Sequence, residues 1–245
     1  MTTKRPLPML FAGIAMILYP VIEILTIILQ NILSIMNYTS MFEAGYIDIS
    51  QIFIIFGKAI GEGISNSIWL LLLAVVGIMF IIAFIKPCKA LYIVSFVLLG
   101  LLGLIFGIVF VIGGIVMLLA IPLDMMAVGG NVISFASCLV NVVEVSVIHG
   151  LATILLAVFA LLSLIPKAGK VISKFWILPT ILSGVELVVS SILFIIIRTM
   201  LGVTVVGAIT ASLFNLPIIG FTACILLAGL GMSSMVKNNF GKSAE

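Results

Sequence analysis

Charge is what this sequence has least of: the chain carries 11 basic residues, 8 acidic residues and a single histidine among 245 positions. A water-soluble domain of this length needs a largely polar surface, and so few charges cannot cover one. Cysteine is almost as scarce. Cys88, Cys138 and Cys224 stand far apart, with neither the spacing of a metal site nor that of a disulfide framework. One histidine and scattered acids cannot assemble a zinc protease, and no Gly-x-Ser-x-Gly elbow, His-Glu-x-x-His pair or phosphate-binding glycine loop occurs. No catalytic set, metal site or cofactor is therefore expected, and nothing points to nucleic acid.

What the chain has instead is apolar length. Hydrophobic residues make up 64% of it, and the mean hydropathy is +1.51. A helix crosses the hydrocarbon core with about 20 apolar residues, and such runs fall near 8–30, 66–85, 91–118, 146–165, 175–197 and 216–235. The first run follows Lys4 and Arg5 but lacks a small-residue cleavage site, so it reads as a retained span rather than a signal peptide. The expectation is an all-α polytopic membrane protein, one transmembrane domain over 1–245 with six spans in a helical bundle.

The few charges supply an orientation. Lys4, Arg5, Lys86, Lys89, Lys167, Lys170, Lys174, Lys237 and Lys242 all fall in connections on one side, leaving only Lys58 and Arg198 opposite. The positive-inside rule makes the basic side cytoplasmic, with both termini there and the plasma membrane as the location. On the outer side two segments are amphipathic. Asp48, Gln51, Lys58 and Glu62 share a helical face ahead of span two, and Ser134, Ser137, Asn141 and Glu144 repeat the pattern ahead of span four. These segments lie in the interface, dip as re-entrant helices or extend a span above the bilayer.

A shift of 81 to 83 residues superposes Arg5-Pro6 on Lys86-Pro87, Glu62 on Glu144 and Leu73-Ala74 on Leu156-Ala157. Twice that shift places Glu23 on Glu186. Three pseudo-repeated hairpins, 1–81, 82–163 and 164–245, are one reading; the other is the periodicity any evenly spaced six-span chain shows.

Only two acids fall inside the spans. Glu186 lies deep in span five, with Ser183 and Ser190 on its helical face, and Glu23 follows Pro20 in span one, where a broken helix would free carbonyls within the membrane. Intramembrane acids are costly and by default mark an ion site or proton relay. A buried neutral Glu bonded to a neighbouring helix is the structural alternative. Glu62, Glu144 and His149 are outer-face candidates. Imidazole titrates near neutrality, but His149 at the outer start of span four reads first as a wetted helix end, and its offset from Glu144 discourages pairing on one helix. Gly100, Gly103, Gly107 and Gly114 line span three, and Gly220, Cys224, Ala228 and Gly231 line span six. Both stripes of small residues read as helix-packing or dimerisation seams.

Three functions fit. The first is a small secondary transporter or channel-like permease using the intramembrane carboxylates. The second is a non-catalytic immunity or assembly subunit that binds a transmembrane partner, or a second copy of itself, through the glycine faces. The third is the permease subunit of an ATP-driven exporter. Six spans with both ends inside resemble ABC-2-type permeases in outline, but the chain lacks their basic amphipathic helix before span one, and no motif is shared.

Overall fold

The computed structural model describes residues 7–43, 68–128, 147–200, 204–205 and 216–239, and all of its regular structure there is helical. In chain order the helices are α1 (Leu7–Glu43), α2 (Ile68–Ile85), α3 (Lys89–Val128), α4 (His149–Leu162), α5 (Pro166–Ile172), α6 (Leu178–Met200) and α7 (Leu216–Asn239). Four of them contain a stretch long and apolar enough to cross a membrane: Leu7–Thr26, Ile68–Ile85, Lys89–Val116 and Pro217–Lys237. The other two expected spans correspond to shorter apolar helices, His149–Leu162 and Leu178–Leu193. The amphipathic segments 48–62 and 134–144 lie outside the described residues, as do both termini.

The exposed surface explains why these sequences form helices in lipid. Leu18, Leu25, Leu71, Ile82, Ile105 and Ile192 all point outward, where water would penalise them and hydrocarbon does not. With apolar residues on every face, the helices pack by shape rather than by hydrophobic segregation. Gly13 of α1 and Gly77 of α2 face each other so closely that a Cβ on either would meet the other's carbonyl oxygen at 2.7 Å. Gly107 of α3 and Gly150 of α4 repeat this arrangement at 2.9 and 2.8 Å. Backbones that approach to this distance gain dispersion and Cα–H···O contacts that larger side chains would block.

The expected seams are occupied within the chain. On α3, a Cβ on Gly100 would run into Leu161, and one on Gly103 into Ala157, both residues of α4. On α7, Gly231 abuts Ala12 and Pro8 of α1, Gly220 faces Tyr19, and Cys224 and Ala228 are buried. Gly114 is buried as well. α7 packs on α1 along its length and also touches α4, α5 and α6, which makes it the central strut of the bundle. Aromatic rings close the α2/α3 contact, Trp69 on Phe106 and Phe80 near Phe96.

One end of the bundle is basic. Lys86, Lys89, Lys167, Lys170, Lys174 and Lys237 are all exposed. They sit at the α2/α3 turn, in the α5 region and at the end of α7. Two bonds tie this end together: Tyr92 Oη donates to the Ala83 carbonyl, and Ser233 Oγ donates to the Ser173 carbonyl at 2.8 Å.

Candidate functional site

The site is assembled from the packing just described. The Gly107–Gly150 crossing fixes the first turn of α4 against α3, and this holds His149 in the bundle rather than at its rim. Its side chain is only 12% exposed. The ring stacks on Phe221 of α7, with centroids 3.5 Å apart and planes 20° from parallel, and meets the edge of Phe110 of α3 at 5.3 Å. Two phenyl rings thus set the plane of the imidazole, and its backbone carbonyl accepts a bond from Thr153 Oγ1 at 2.9 Å.

In that orientation His149 Nδ1 lies 3.2 Å from Oε1 of Glu186, which belongs to α6, 37 residues further along the chain. Glu186 is fully buried. The histidine is therefore not the wetted helix end expected from sequence but the partner of the most deeply placed acid. Nor do Ser183 and Ser190 satisfy that acid. Ser183 Oγ donates to Thr222 Oγ1 at 2.9 Å, and Ser190 Oγ donates to its own helix at the Leu187 carbonyl. Oε2 of Glu186 is buried without a hydrogen-bond partner among the described residues.

Glu23 approaches the same ring from α1. It lies within electrostatic range of His149, and its Oε2 is also buried and unpartnered among the described residues. Tyr19, one turn earlier on α1, is buried and within range of both Glu23 and Glu186. The two carboxylates thus lie within electrostatic range of the same groups, and α7 lies against both α1 and α6. The break expected at Pro20 does not occur. α1 runs as a helix through that proline, whose missing N–H leaves the Met16 carbonyl, four residues earlier, without its helical donor.

One turn further along α4 a small cavity of about 20 Å³ is lined by Met16, Thr153, Leu156, Phe221 and Cys224 among others. That is room for about one water molecule. Glu62 and Glu144 lie outside the described residues, so of the sequence candidates His149 and Glu186 meet here, with Glu23 in electrostatic range of the imidazole. Tyr19, Phe110 and Phe221 join them without having been singled out. One signal for His149 was present: it shares a stripe with Thr153, Ala157 and Ala160, three buried residues at helical spacing, and so belongs to the inward face of α4.

Chemically, an acid and a base in hydrogen-bond contact, enclosed by aromatic rings, can hold and exchange charge at low cost where either group alone could not. Compared with known protein families, characterised proteins and solved structures, the chain matches none.

Proposed function

We propose that the protein is a small membrane permease, a secondary transporter or channel-like carrier of ions, whose working site is the Glu186–His149 pair with Glu23 beside it. One observation carries this: a fully buried carboxylate 3.2 Å from the chain's sole histidine, inside an apolar helical bundle. Such a pair adds little to stability compared with well-packed hydrophobic residues, so its place in the bundle is best explained by what it does. The glycine faces that would serve a partner subunit are taken up within the chain, which weighs against the assembly-subunit reading.

The reading includes a topology. The helices α1, α2, α3, α4, α6 and α7 cross the bilayer as three hairpins, and the basic end faces the cytoplasm together with both termini. The three hairpins are related about an axis along the membrane normal.

Purified protein in proteoliposomes is expected to pass H⁺, Na⁺ or K⁺, each read with its own ion-sensitive dye, above the level of empty liposomes. Glu186→Gln should lower that flux at least tenfold. Flux equal to empty liposomes for all three ions, or undiminished in Glu186→Gln, would contradict the proposal.

A further inference from the structure

We infer that the ion bound at the Glu186–His149 pair is the proton, shared between Oε1 of Glu186 and Nδ1 of His149. As an account of what is carried, this rests on the permease reading; as a binding property of the pair, it is measurable without flux.

The argument begins with what surrounds the pair. A hard cation such as Na⁺ needs several oxygen ligands. Among the described residues only two buried carboxylate oxygens remain unpartnered, Oε2 of Glu23 and Oε2 of Glu186. The hydroxyls of Thr153, Ser183 and Thr222 spend their hydrogens on the His149 carbonyl, Thr222 and the Ile218 carbonyl respectively. No group of three metal-ligating side chains exists among the described residues. The imidazole itself offers nitrogen and is walled by the rings of Phe110 and Phe221, so no cation cage can form on that side.

A proton needs no cage. With an ionised Glu186 and a neutral imidazole, the Nδ1–H donates to Oε1 and the pair carries one negative charge. Adding one proton gives either imidazolium with carboxylate or imidazole with carboxylic acid, and both are neutral overall. The 3.2 Å contact serves all three forms. In a low-dielectric bundle the neutral, loaded pair is the cheap state, whereas the unloaded pair needs water or a compensating charge. Unloading is therefore tied to hydration, as alternating access requires.

Among the described residues, the titratable groups within electrostatic range of the pair are Tyr19 and Glu23 from α1. The described residues of α3 present the phenyl ring of Phe110 there. Of the two, Glu23 alone is a carboxylate within range of the imidazole.

Infrared difference spectra of the full-length protein, recorded in lipid across a pH titration, test this directly. A protonated-carboxyl band should rise as the pH falls and disappear in Glu186→Gln. In His149→Gln its midpoint should move by at least tenfold in proton concentration, and Na⁺ or Li⁺ should leave it unchanged. If Glu186→Gln fails to fold, Glu186→Asp grown with ¹³C-labelled glutamate assigns the band, which should then no longer shift with the label. A band that survives Glu186→Gln, ignores His149→Gln or moves with Na⁺ overturns the inference. A titrating band without liposome flux upholds the proton site and overturns the permease reading. Na⁺-driven flux with no such band does the reverse.

Discussion

Gly107→Leu is expected to separate α3 from α4 and to prevent the protein from reaching a stable folded form. A Cβ at this position would lie 2.5 Å from Ile154 Cγ1, 2.9 Å from the Gly150 carbonyl oxygen and 3.0 Å from the Ile154 amide nitrogen. A side-chain atom can swing away, but two of these three neighbours are backbone and cannot. Overpacking a core typically costs about 1–3 kcal/mol when side chains alone must adjust; here the two helix axes must move apart along the whole Gly100–Gly107 stripe. The same displacement would pull the first turn of α4 from its place and His149 from Glu186. Gly113→Leu on the same helix is the control, because a Cβ there meets nothing within 4 Å. It should be neutral or slightly stabilising, since leucine exceeds glycine in helix propensity by up to about 1 kcal/mol. Thermal unfolding in detergent, followed by helical signal and by monodispersity, separates the two. Equal behaviour of the two variants would show that α3 and α4 do not cross at Gly107.

The second large effect concerns the buried pair. His149→Leu leaves the Glu186 carboxylate with neither water nor base, and losing one partner of a buried pair costs about 3–5 kcal/mol. Glu186→Leu should cost less, because a neutral imidazole between two phenyl rings tolerates an apolar setting better than an isolated carboxylate does. The double variant His149→Leu/Glu186→Leu should recover most of the loss, since a hydrophobic pair of similar volume often matches a buried ion pair in stability. Additive single effects, with no recovery in the double variant, would mean that the two side chains do not interact.

These effects also show how much was legible in the sequence. The apolar runs and the lysine placement are local features, and four long helices with one basic end follow from them. The stripe Gly100, Gly103 and Gly107 was readable as a seam because its spacing lies within one helix. Its counterpart, Gly150, Ala157 and Leu161, was not, because which helix docks on a stripe depends on the packing of the whole bundle. Gly13 and Gly77 form a crossing of the same kind but have large residues, Met9, Ile17, Leu73 and Ile81, four positions to either side, so periodicity gave no reason to choose them. Glu23 and Glu186 stood out because a carboxylate in an apolar run is costly wherever it points. His149 was misjudged for the opposite reason. Its nearest acid in sequence, Glu144, sits at an unsuitable helical offset, while its actual partner lies 37 residues away on α6. Tyr19 was open to the same reasoning as Glu23, one turn away on the same face, but a tyrosine in a membrane span is common enough to escape notice.

The central claim, that the lone histidine meets Glu186 inside the bundle, can be measured without reference to any transported solute. Because the chain has one histidine, ¹⁵N-histidine labels His149 alone, and ¹³C-carboxyl glutamate supplies the partner for solid-state dipolar recoupling in lipid. A strong coupling, consistent with 3.2 Å between Nδ1 and Oε1 and lost in Glu186→Gln, is the predicted result. A histidine with no close glutamate carboxyl, or a coupling that persists in Glu186→Gln, would contradict it.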